Sequence, residues 1–75
     1  MIRYKIDVGE ELKKRGFTST RILHERLLPS GTLKTAKEGK SITLESLGKI
    51  CCMLRCQPGD IIENVITDDE KIKYF

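Results

Sequence analysis

Seventy-five residues make one domain: a chain this short buries only about 60% of the surface its unfolded form exposes, enough for one modest core and too little for a large substrate cleft beside it. The composition, 39% hydrophobic and 33% charged with no low-complexity run or internal repeat, excludes a disordered chain. The net charge of +3 hides an asymmetry, because residues 1–58 carry 12 Lys/Arg against 6 Asp/Glu, residues 59–75 carry 2 against 5, and 13–40 alone carry 8 against 2; this positive field suits a polyanionic partner better than a neutral one.

The opening Met-Ile-Arg-Tyr-Lys lacks the apolar run and small-residue cleavage site of a signal peptide, and no apolar run approaches the roughly 20 residues of a membrane span. Apolar spacing and cap signals then divide the chain into five short helices, an all-α domain. The first covers about Val8–Arg15, with Asp7 as N-cap, Glu10 and Glu11 early and Lys13, Lys14 and Arg15 late, an order that complements the helix dipole. Gly16 stops it. Gly9 is awkward inside it, costing about 1 kcal/mol relative to alanine.

Thr18 caps a second helix over about Ser19–Arg26, with Ile22, Leu23, Leu27 and Leu28 as its apolar surface, and Pro29 breaks it. A third helix starts at or near Ser30 and runs to about Glu38, where Gly39 ends it. Thr43 caps the fourth, whose Leu44, Leu47, Cys51 and Leu54 recur at spacings of three, four and three with Ile50 widening the stripe; this is the buried central helix. Pro58 starts a short fifth helix, Gly59–Asn64, with Ile61, Ile62 and Val65 closing the core. Residues 67–75 form a polar, acidic tail whose closing Ile-Lys-Tyr-Phe leaves two readings open, a frayed end or a short strand pairing with Ile2–Tyr4.

Two short helices joined by Leu27-Leu28-Pro29-Ser30, followed by a longer apolar helix, have the layout of a helix-turn-helix. Leu28 plugs the turn, and Ile22 and Leu33 face inward. That leaves Ser30, Gly31, Lys34, Thr35 and Lys37 facing out, small hydroxyls and long bases of the kind that reach base edges and phosphates in a major groove.

Three further features are weighed against that reading. Cys51, Cys52 and Cys56 lack the separated pairs of a zinc site, and adjacent helical residues point about 100° apart; they read as structural, reduced thiols of a cytosolic protein. The single histidine, His24, has no nucleophile or acid partner at helical spacing, and Asp68-Asp69-Glu70 lacks the glycine turn that organises a divalent site. With no acid/base pair, nucleophile elbow or phosphate-cradling glycine loop, the chain reads as no enzyme and calls for no cofactor. Two Tyr and two Phe are too few for the stacking platforms of a single-strand or RNA binder.

The runs Gly16-Phe17-Thr18-Ser19-Thr20-Arg21, Leu27-Leu28-Pro29-Ser30-Gly31-Thr32-Leu33-Lys34 and Lys37-Glu38-Gly39-Lys40-Ser41-Ile42 together resemble the Cro and lambda-repressor type helix-turn-helix family. The closing Leu54-Arg55-Cys56-Gln57-Pro58-Gly59-Asp60-Ile61-Ile62-Glu63 is similar to a branch of small bacterial and mobile-element regulators within it, so that the likeness covers about residues 5–66. The resemblance implies a five-helix lambda-repressor-like fold, a transcriptional repressor without cofactor, binding to double-stranded DNA, and frequent homodimers on inverted half-sites. By position it implies base reading by Ser30, Gly31, Thr32, Lys34 and Thr35, and phosphate contacts from Thr18, Ser19, Thr20, Lys37 and Lys40. Two residues depart from the family's pattern: Ala36 replaces a larger apolar residue, and Gly31 removes a side chain from a position that often reads a base. Both favour an alternative in which the fold survives as an antitoxin-like or anti-repressor interaction module that no longer reads DNA.

Overall fold

The computed structural model describes residues 1–75, and its helices begin where the sequence supplies an oxygen to cap them. Helix α1 (Val8–Lys14) starts on Asp7, α2 (Ser19–His24) on Thr18 and α4 (Leu44–Leu54) on Thr43; in each the side-chain oxygen accepts the N–H three residues on, at 3.1–3.2 Å. Between α2 and α4 lies α3 (Thr32–Lys37), whose N-cap is Gly31 with no side-chain cap. No helix is long and apolar enough to cross a membrane.

Four helices end in one way. A residue one or two past the helix turns left-handed, and the N–H after it bonds back five residues: Phe17 to Leu12, Leu27 to Ile22, Lys40 to Thr35 and Cys56 to Cys51, all at 2.9–3.0 Å. Glycine serves at Gly16 (φ 83°) and Gly39 (φ 76°), as the sequence indicates, but arginine serves at Arg26 (φ 51°) and Arg55 (φ 54°). Arg26 thus stands outside α2, which closes at His24 rather than running on to it.

Two terminal elements differ from the sequence reading. The fifth helix is a single turn, α5 (Pro58–Ile61), held by Asp60 accepting the Gln57 N–H at 2.9 Å. The chain then extends as strand β2 (Ile62–Asn64), which pairs antiparallel with β1 (Ile2–Tyr4) in the register Ile2↔Asn64, Arg3↔Glu63, Tyr4↔Ile62. The strand at the N-terminus therefore exists, but its partner is this isoleucine-bearing segment and not the last four residues. The N–H of Lys5 to the Ile61 carbonyl (2.7 Å) and of Val65 to the Met1 carbonyl (2.8 Å) lengthen the ladder. The tail is neither frayed nor extended: Thr67 and Glu70 form a reciprocal capping box that starts a sixth helix, α6 (Asp68–Tyr74). Hydrogen bonds to the Glu70 carboxylate, first from the Thr67 backbone and then from the Met1 amine, hold its pKa down at about 2.

The core draws one or more residues from each of the first five helices: Val8 and Leu12, Ile22, Ala36, the α4 stripe Leu47, Ile50, Cys51 and Leu54, and Ile61, with Leu28 plugging the turn between α2 and α3. Three apolar residues assigned inward by the sequence are outside instead: Leu44 on the first turn of α4, Leu23 on α2 and Val65 just past β2. A two-stranded sheet is marginal by itself. This one leans Tyr4 and Ile62 on the core, and the Tyr4 hydroxyl donates to the Lys40 carbonyl at 2.8 Å, which ties the strand to the end of α3.

Candidate nucleic-acid interface

The pair α2–α3 is held from behind by Ile22, Leu28 and Ala36, all buried, and by the half-buried Leu33. The small Ala36 is buried and borders, together with Val8 and the sheet residue Tyr4, an open depression of about 270 Å³. Gly31 has a backbone reason: as N-cap of α3 it sits at φ 82°, a conformation that glycine adopts without strain and other residues do not. Nothing lies within 4 Å of where its Cβ would be, so the turn and not crowding requires the glycine.

The candidate base-reading residues divide between two sides of α3. Ser30, Gly31 and Lys34 are exposed and border a groove of about 310 Å³ between α2 and α3, floored by Ile22, Leu28 and Leu33. Thr32 and Thr35 are half-buried on the other side, in a hydroxyl-rich depression shared with Ser41, Thr43 and Ser46, which Ser30 and Gly31 border as well. The Thr35 hydroxyl already donates to the Gly31 carbonyl at 2.9 Å. Lys34 is therefore the one long side chain of that set projecting from α3 beside the groove.

The candidate phosphate residues divide as well. Lys37 lies back across α1, and its ammonium donates to the Ser19 hydroxyl at 3.2 Å. A cleft of about 450 Å³ opens there, lined by Lys13, Thr18, Ser19 and Lys37 with Asp7 and Glu10 at its acidic side. Thr18, Ser19 and Lys37 are thus brought together, although the Thr18 oxygen is engaged as the α2 cap. Thr20 is exposed on the first turn of α2. Lys40 stands apart, past the end of α3, in an exposed ion pair with Glu38 at 3.2 Å; such pairs hold a side chain only weakly.

Three residues near this surface escape sequence reasoning. Gly9 is the notch through which Lys37 passes, since a Cβ there would stand 2.6 Å from the Lys37 Cε and 3.0 Å from its Cγ. The signal was present, as a glycine inside a helix needs a reason. Leu23, 70% exposed, overhangs the α2–α3 groove, but helical periodicity alone places it with the apolar residues. Glu38, just past α3, adds an exposed carboxylate beside the bases.

Cys51 is buried in α4, and burial first, then the neighbouring Cys56, push its thiol pKa up. Cys52 is exposed and Cys56 half-buried. His24 is exposed on α2.

Compared with known proteins, residues 9–66 match a family model described as a Cro/C1-type HTH DNA-binding domain. No curated protein and no solved structure matches the chain.

Proposed function

Because the chain belongs to the Cro/C1-type helix-turn-helix DNA-binding family, we propose that it is a sequence-specific regulator of transcription that lays α3 in the major groove of duplex DNA and represses by occupying its site. The observation that carries this reading is the exposure of Lys34 on α3, beside a groove whose other bank is α2. From there a long base reaches guanine O6 and N7, while Thr32 and Thr35 on α3, and Ser30 and Gly31 in the turn that precedes it, lie close enough to meet neighbouring base edges. Lys37 at the end of α3, joined to Ser19, takes phosphates together with Thr18, Thr20 and Lys40 around it, which sets register without reading sequence. Gly31, at φ 82° in the turn, and Ala36, buried in the core, each have a structural reason for their identity, which supports this reading over the interaction-module alternative.

Two substitutions test the division of labour. Lys34→Ala costs about 1–3 kcal/mol on the preferred duplex and relaxes the choice at one base pair. Lys37→Ala weakens preferred and random duplexes alike and makes the slope of log K against log salt shallower by about one unit. Site selection from a randomised duplex pool followed by fluorescence anisotropy reads both. If neither substitution changes any duplex affinity, the regulator reading is wrong.

A further inference from the structure

Cys51, Cys52 and Cys56 are free thiols that border one depression of about 510 Å³ at the end of α4, and none of them takes part in the proposed DNA contacts. Helical geometry alone pairs the wrong two. Were α4 to continue unbroken at 100° per residue, Cys56 would stand about 40° around the axis from Cys52 and about 140° from Cys51. The left-handed Arg55, at φ 54°, reverses that choice by turning the chain back, so that the Cys56 N–H meets the Cys51 carbonyl at 3.0 Å. In this kind of helix ending the side chains at the two ends of that bond pack against each other. Here they are two thiols, Cys51 within the core cluster and Cys56 against it.

The pair is unequal. Cys51 is 8% exposed and Cys56 half-buried. Burial and then the Cys56 neighbour raise the Cys51 pKa, which keeps it a thiol at neutral pH. Gly48, one turn before the cysteines, contributes no side chain to cover the depression, and nothing stands within 4 Å of where its Cβ would be. A small reagent therefore reaches Cys56 from solvent, and Cys51 through Cys56.

We propose that Cys51 and Cys56 form an oxidisable dithiol, a modification site at which a small hydroperoxide produces an intramolecular disulfide. The Cys56 thiolate attacks the peroxide; an S–O bond forms, the O–O bond breaks, and the departing oxygen takes up the proton the thiol has lost. The Cys51 sulfur then attacks the sulfenic acid on Cys56; the S–S bond forms, the S–O bond breaks, and hydroxide leaves with the Cys51 proton as water. Two thiols give up two electrons, and the hydroperoxide is reduced to an alcohol, or to water, plus one water. Cys51 needs no exposure for its step, because its target is already its neighbour. The exposed Cys52 stays outside the exchange.

The test uses the full chain, dilute, with one equivalent of hydrogen peroxide. In the Cys52→Ser variant both remaining thiols disappear from a thiol titration, and the mass falls by two hydrogens. Cleavage after Arg55 leaves two peptides joined through residues 51 and 56, and dithiothreitol separates them. In the parent the one thiol left to alkylate is Cys52. Cys56→Ser forms no disulfide within the chain. Against a glutathione buffer the folded Cys52→Ser chain holds its disulfide about tenfold more firmly than the same chain in guanidinium chloride, since the turn at Arg55 brings the sulfurs together. A Cys52→Ser chain that keeps two free thiols, or links only to other chains, overturns the proposal, as does a parent in which Cys52 is paired and Cys51 left free. Equal firmness folded and unfolded overturns the part given to the turn.

Discussion

Replacing Gly9 by alanine separates folding from DNA binding in a single step. The new Cβ would stand 2.6 Å from the Lys37 Cε, so the lysine chain must retreat by roughly an ångström to reach ordinary carbon–carbon contact. Its ammonium then leaves the Ser19 hydroxyl, 3.2 Å away in the parent. The folded state barely notices. An exposed hydrogen bond worth about 0.5–1 kcal/mol is lost, and alanine's advantage over glycine inside a helix, about 1 kcal/mol, offsets it. The net is under about 1 kcal/mol, with Tm unchanged or a few degrees higher. Binding does notice, because Lys37 no longer rests where a phosphate would meet it together with Ser19. The slope of log K against log salt becomes shallower by about 0.9, and affinity at low salt falls several-fold. In a Lys37→Ala background the same substitution has no effect on binding and stabilises by the whole helix-propensity gain of about 1 kcal/mol, since the Ser19 hydrogen bond is already gone. Thermal melts and anisotropy titrations over a salt series measure all four corners of this cycle. A Gly9→Ala protein with parental affinity and slope, or one that loses binding equally when Lys37 is already absent, refutes the argument.

Leu54→Ala removes a side chain 5% exposed in the α4 stripe and costs about 2–5 kcal/mol; a melt unchanged within a few degrees would show that the stripe does not carry the core. Arg55→Gly relieves a left-handed arginine at φ 54°. The αL penalty of about 1–2 kcal/mol exceeds glycine's added freedom in the unfolded chain, so Tm rises by a few degrees, and a fall would mean that the arginine side chain matters more than its backbone. Alkylation at neutral pH modifies Cys52 first and Cys51 last, because Cys51 is buried and its raised pKa leaves little thiolate. Peptide mapping of a time course that finds Cys51 modified first would contradict its place in the core.

What could be read from the chain alone is what depends on near neighbours. Asp7, Thr18 and Thr43 start helices because a side-chain oxygen meets an N–H three residues away, and Gly16 and Gly39 stop them because the αL turn follows at once. The α4 stripe at Leu47, Ile50, Cys51 and Leu54, the plug at Leu28 and the exposed Lys34 follow from a 3.6-residue period that needs no knowledge of the rest of the fold. Thr67 and Glu70 carry an equally local capping signal, but the charged run after them obscured it, because a helix with no buried face shows no apolar period.

The tertiary structure decided everything that joins distant residues. Ile62–Asn64 continues a helical apolar pattern in sequence, yet it is a strand because Ile2–Tyr4, some sixty residues away, supplies the ladder partner. Arg26 and Arg55 take a conformation their own chemistry disfavours, because the helices ending there must turn back to bury Ile22, Leu28 and Leu54. At the candidate interface the types of residue were legible but their division was not. The crossing of α1 and α3 sends Lys37 back over Gly9 to the Ser19 hydroxyl. Those contacts exist only once three helices are packed, so no spacing along the chain encodes them.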